Sequence, residues 1–214
     1  MKNSTQLKSF RNFIFDWSGT LVDDLGPVID STNKVFSYYG KNTFSRDEFC
    51  SEFCLPFENF YKKFLPEVPM SDLEELYAKY FSETKERVFL LPGCIEILKK
   101  CKNHNIGIYL LSSIKKQHFE IQANELNLND FFNNVYTEAL DKREWINRVL
   151  NDNSLEVSET IFIGDMKHDI DTANFAGIFS VGVLTGYNNK EMLEESSPSL
   201  IVENLFELMK TVFS

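Results

Sequence analysis

No stretch of this 214-residue chain approaches the roughly 18 uninterrupted apolar residues that span a bilayer. The opening MKNSTQLKSF also lacks the apolar run of a secretion signal, so a soluble cytoplasmic protein is expected. Positive charge is scarce: 22 Lys and Arg stand against 32 Asp and Glu, a formal net charge of -10. Nucleic acid and anionic membrane both require a positive field, and neither is an expected partner. The four cysteines include no Cys-x-x-Cys and no accompanying histidine pair. Cys50 and Cys54 lie one helical turn apart and Cys94 and Cys101 two turns apart, the pattern of reduced, buried packing residues. Internal repeats and low-complexity linkers are absent too. What is abundant is phenylalanine, 20 residues spread over both halves and never interleaved with a basic run. That distribution predicts large core side chains and no base-stacking platform.

Two kinds of organisation follow one another along the chain. From Leu25 to about Arg87 every periodic segment is helical: Leu25 to Tyr39 ended by Gly40, Ser45 capping a helix to Cys54, Phe57 to Phe64, and Ser71 capping a helix from Asp72. Beyond Val88 strands and helices alternate, which favours a parallel sheet with crossover helices. The expected architecture is therefore α/β, a Rossmann-like parallel core formed by residues 1–22 and 89–214, with residues 23–88 inserted as an all-helical domain.

The chemistry concentrates where apolar strands end. In NFIFDWSGTLVDD the strand Phe13 to Phe15 stops at Asp16 and the chain turns through Ser18, Gly19 and Thr20. A carboxylate there serves either as a turn cap or, compensated by a cation or a nest of N–H groups, as a functional anion. IYLLSS ends in Ser112 and Ser113 before a helix, suited to capping or to anion binding. Lys142 opens another helix, and IFIGDMKHD places Asp165 and Asp169 one helical turn apart. In an open parallel sheet ligands collect at the carboxyl ends of the strands, where Asp16, Ser112 and Asp165 would converge. Three carboxylates in one crevice repel one another unless a divalent cation is present, and oxygen-only ligands point to Mg²⁺.

These four stretches, in this order, resemble the signatures of the haloacid dehalogenase (HAD) superfamily, and the likeness covers nearly the whole chain. The resemblance implies a helical cap over the core and a small phosphorylated metabolite as substrate for a monomer or homodimer. It implies that Asp16 is the nucleophile, that Ser112 bonds a phosphoryl oxygen, and that Lys142 pairs with nucleophile and phosphate. Backbone N–H groups of Trp17, Ser18 and Ser113 would bind the phosphate. Asp16, Asp165, Asp169 and the Ser18 carbonyl would hold Mg²⁺. One position departs from the phosphatase pattern: Ser18 stands where a second aspartate usually acts as general acid and base. Losing such a group typically costs about 10²- to 10⁴-fold in rate. DWSGT is also similar to the first motif of phosphonoacetaldehyde hydrolase, whose chemistry needs a cap lysine such as Lys41, Lys62 or Lys63. A non-catalytic phospho-ligand binder is a further reading. Metal-free dehalogenation would leave Asp165 and Asp169 unexplained. His168 reads as a surface histidine and His118 as a residue on a helix face, and the stretch from Phe53 to Phe64 as either a substrate loop or cap core.

Overall fold

The computed structural model describes residues 10–84 and 86–213. Its centre is a buried four-residue strand, β1 (Asn12–Phe15), in which Phe13 and Phe15 face one side of a sheet and Ile14 the other. Strands β4 (Gly107–Leu111) and β6 (Thr160–Gly164) repeat this division, with Ile108, Leu110, Ile161 and Ile163 on the first face and Tyr109, Leu111 and Phe162 on the second. Side chains alternate across a strand, and a sheet covered on both faces needs apolar residues at every position. The outer strands are β5 (Asn134–Tyr136), β7 (Phe179–Val183) and β8 (Leu200–Val202). The sheet order is β5-β4-β1-β6-β7-β8, and every pairing is parallel. The expected α/β, Rossmann-like core is therefore what forms.

Six helices accompany this sheet: α5 (Cys94–Asn103), α6 (Lys116–Glu125), α7 (Lys142–Asp152), α8 (Lys167–Ala176), α9 (Lys190–Glu195) and α10 (Leu205–Val212). Helix α8 starts two residues earlier than Asp169 and stops at Gly177, which takes the left-handed conformation at φ 69°. The chain passes from β1 to β4 on one side and later to β6 on the other, so the connections diverge at the carboxyl end of β1. Such a switch point opens a crevice in the sheet edge.

Among the described residues, the elements between two short strands, β2 (Val22–Asp23) and β3 (Phe89–Leu90), are all helices: α1 (Leu25–Tyr38), α2 (Arg46–Glu52), α3 (Phe57–Phe64) and α4 (Met70–Glu83). β2 and β3 pair antiparallel, Val22 with Leu90 and Asp23 with Phe89, so the two chain crossings into this block are tied together. Sequence periodicity missed that pair because two residues carry no period. Helix α2 begins with the expected capping box, Ser45 and Glu48 satisfying each other's backbone N–H groups. Helix α4 corrects an expectation: Pro69 rather than Ser71 precedes its first turn, and it ends at Glu83 rather than near Arg87. The block has its own core around Phe36, Phe49, Phe60 and Leu73, to which the sheet side contributes Met166 and Tyr187. Among the described residues no helix is long and apolar enough to cross a membrane. The cysteines divide: Cys94 and Cys101 are buried and Cys50 is half-buried, whereas Cys54 falls beyond α2 and is exposed, contrary to the packing role expected of it.

Candidate active site at the sheet switch point

Asp16 continues β1 by one residue, its N–H donating to the Ile163 carbonyl at 2.9 Å, and its side chain is buried. Asp165 follows β6 in the same way, and Asp169 lies in the first turn of α8. Their carboxylate oxygens lie within 4.8 Å of one another. Lys142, at the start of α7 and wholly shielded from solvent, reaches between two of them, 2.9 Å from Asp16 Oδ1 and 2.5 Å from Asp169 Oδ1. Lys142 is thus a fully buried side chain at the centre.

Each carboxylate is held from behind. Asp165 accepts from the Thr20 hydroxyl at 3.0 Å and from the Tyr187 N–H at 2.7 Å. Asp169 Oδ2 accepts from the Met166 N–H at 3.0 Å. Two glycines make room for Asp165: a Cβ on Gly19, already at φ 70°, or on Gly186 would collide with its carboxylate. Asp16 Oδ1 is different. It touches the Lys142 ammonium but accepts no well-aligned hydrogen bond, a buried oxygen with coordination to spare.

The electrostatics follow from this crowding. Burial pushes the Asp16 carboxyl above the usual carboxylate range, opposed by Lys142 and reinforced by Asp169. Burial raises Asp165 much further, with Asp16 and Asp169 adding to the rise. Burial alone would lower the Lys142 ammonium, but Asp16 and Asp169 outweigh it and hold its pKa above the ordinary lysine value. One ammonium therefore faces three carboxylates, and Asp16 Oδ1, held by Lys142, lies among them. A hard divalent cation with oxygen ligands fits this donor set, which offers no thiolate or imidazole.

The remaining expected residues are placed unequally. Ser18 turns its hydroxyl to Asp24 Oδ2 at 2.5 Å, and Tyr187 OH approaches Asp24 Oδ1 at 3.4 Å. Burial pushes the Asp24 carboxyl up to about 7, against the lowering effect of the Ser18 hydrogen bond. Ser113 lines the open pocket beside Asp16 and Ser18, while Ser112 is buried and its hydroxyl accepts from the Ile114 N–H at 3.4 Å. Trp17 contributes only its backbone: the N–H donates to Asp16, and the indole is buried, donating to Gln122 Oε1 at 2.6 Å.

Sequence reasoning missed the backing residues. His168 was expected at the surface, but it is buried and its Nε2 accepts from the Lys142 N–H at 2.9 Å. Burial first, then the Lys142 charge, push its pKa down to about 4, so it stands neutral. His118 lies on a helix face as expected, on α6, where it stacks on Phe81 of α4, ring centroids 4.8 Å apart, and lines the pocket. Thr20 and Tyr187 carried no signal beyond small or glycine-adjacent residues following a strand. The lysines considered for Schiff-base chemistry are elsewhere: Lys41 and Lys63 line a separate surface hollow, and Lys62 is exposed. In the stretch from Phe53 to Phe64, Phe60 joins the core of the helical block, as one expectation had it, while Phe53 and Phe57 line the pocket.

Comparison with other proteins agrees with this geometry. The phosphoglycolate phosphatase of Synechococcus elongatus is 22% identical over 202 residues, spanning 93% of this chain and 95% of that protein. The phosphoglycolate phosphatase of Pseudomonas fluorescens is 23% identical over 140 residues, which is 63% of this chain and 52% of its own length. A haloacid dehalogenase-like hydrolase from Streptococcus pneumoniae superposes with a TM-score of 0.85 at 21% identity, covering 96% of this chain and 99% of that one, a likeness of fold. The profile of the family described as haloacid dehalogenase-like hydrolase matches residues 13–183, and this chain belongs to that family.

Proposed function

We propose that the chain is a Mg²⁺-dependent phosphohydrolase that removes phosphate from a small phosphorylated metabolite through an aspartyl-phosphate at Asp16. The observation that carries this reading is the convergence of Asp16, Asp165 and Asp169 within 4.8 Å around one buried lysine, which pairs with Asp16 Oδ1. Asp16, Asp165, Asp169 and the Ser18 carbonyl would hold the ion. When bound it would screen the carboxylates from the phosphate and stabilise charge on the transferred group. Lys142 keeps Asp16 ionised and supplies positive charge at the phosphoryl oxygens. The N–H groups of Ser18 and Ser113, with the Ser112 hydroxyl, orient those oxygens for in-line attack, while the Trp17 N–H, expected there too, is spent on Asp16. The field of a chain carrying a net charge of -10 repels a phosphorylated molecule, so attraction is local. The helical block of residues 23–88 acts as the cap that closes over the substrate. The setting is the cytoplasm, and the active unit a monomer or homodimer.

Ser18 weakens proton transfer to the leaving oxygen, which favours leaving groups that depart as stable anions. The same residue supports a second reading, a phospho-ligand binder without turnover. Phosphate release from a panel of esters with Mg²⁺ separates the two. Wild type should release phosphate and Asp16→Asn should not; equal rates would remove Asp16 from the chemistry. Ser18→Asp should raise turnover of alkyl phosphates by about 10²-fold.

A further inference from the structure

The pocket that opens from Asp16 and Ser18 extends into the helical block, with a cavity volume of about 140 Å³. The wall away from the carboxylates is made by Phe53, Leu55, Phe57, Tyr61, Leu73 and Phe81. Charged side chains are few, and their balance is negative. Asp24 and Glu74 line the pocket together with Asp16, and among the described residues Lys115 is the only Lys or Arg that does so. Its ammonium is already engaged, 2.8 Å from Glu74 Oε2. A leaving group bearing a carboxylate would meet the Asp24 carboxyl, a Glu74 already paired with Lys115, and no free cation. Desolvating an unpaired charge in such a site is costly, whereas an apolar body gains from the area it removes from water.

Resting on the phosphohydrolase reading above, the geometry points to a substrate class: phosphate esters whose leaving group is uncharged and apolar, aryl esters above all, rather than phosphorylated hydroxy acids. Two features favour a flat ring. The His118 and Phe81 rings are stacked within 12° of parallel on the pocket wall, and Tyr77 adds a further aromatic face. Aromatic groups pack against such faces in offset or edge-on arrangements. An aryloxide also departs with little help from an acid, which suits a site with serine at position 18. The reaction remains a transfer of the phosphoryl group to Asp16 and then to water, releasing the phenol and inorganic phosphate.

The test compares 1-naphthyl phosphate with phosphoglycolate on the Mg²⁺-loaded full chain, measuring both kcat/KM for phosphate release and binding by calorimetry. Naphthyl phosphate should be preferred by about tenfold or more in each measurement. Glu74→Gln, which frees the Lys115 charge, should narrow that preference by raising kcat/KM for phosphoglycolate severalfold. Equal or better use of phosphoglycolate by wild type would overturn the substrate assignment while leaving the phosphohydrolase reading intact. Should no ester release phosphate, the hydrolase reading falls, and calorimetry then decides the pocket's preference by itself. Tighter binding of naphthyl phosphate upholds the assignment, and equal or tighter binding of phosphoglycolate removes it.

Discussion

The carboxylate centre and the aromatic-walled pocket adjoin at Ser18, yet they are built on opposite principles. In the centre nearly every polar atom has a fixed partner: Asp165 is pinned by Thr20 and Tyr187, Asp169 by Met166 and Lys142, and Lys142 by His168 behind it. The pocket wall is apolar, drawn from helices α3 and α4 and the turn between α2 and α3, and has few directional contacts. Preorganised charge requires rigidity, because buried ions gain from one another only when geometry is good. Apolar contact is non-directional and tolerates adjustment. The contrast suggests that the chemistry is fixed by the sheet and the choice of substrate by the helices.

The sharpest way to break this contrast is at Lys142. Replacing it with methionine leaves Asp16 and Asp169 buried without their cation, which should destabilise the fold by about 3–5 kcal/mol in metal-free denaturant titrations. Added Mg²⁺ should then recover more stability in the variant than in wild type, because the ion binds only the folded cluster. An unchanged denaturation midpoint would mean the centre is not the coupled ion cluster described.

His168 sharpens the same point through pH. Its folded pKa of about 4 lies below the ordinary 6.5, so the unfolded chain binds the proton more readily between those values. Stability from this residue is full above pH 6.5 and is lost as pH falls toward 4, on the order of 3 kcal/mol in total. His168→Gln, which keeps an acceptor for the Lys142 N–H, should flatten that acid limb in thermal melts recorded across the window. A limb of unchanged slope would place the proton uptake elsewhere.

The smallest effect is expected on the other side of the comparison. Phe57→Leu trims a half-buried pocket residue and should cost less than about 1.5 kcal/mol of stability. It should raise KM for naphthyl phosphate severalfold with kcat nearly unchanged. A large fall in kcat would show that wall and centre are coupled after all.

How much of this was legible in sequence follows from the same division. Strands such as Ile161 to Ile163 declare themselves by uninterrupted apolar residues, and a carboxylate at the end of each marks the crevice. The parallel sheet, its helical insertion and the set of Asp16, Ser112, Lys142, Asp165 and Asp169 could therefore be expected. Sequence gave no warning of the backing shell. Thr20, His168 and Tyr187 act through long-range contacts, as in Thr20 to Asp165, and no local period encodes them. A histidine next to a lysine and an aspartate reads as surface until the fold turns it under α7. The dual use of the stretch from Phe53 to Phe64 was equally hidden, since helical spacing cannot tell a core-facing aromatic from one that lines a cavity.

Whether Asp16 takes up the phosphoryl group decides the reaction. Rapid acid quenching of the Mg²⁺-loaded protein during turnover of naphthyl phosphate, followed by peptide mapping by mass spectrometry, reads its fate directly. A phosphoryl group on the peptide containing Asp16, absent from Asp16→Asn, is the expected result. Phosphate release with that peptide unmodified and another residue carrying the label would contradict it.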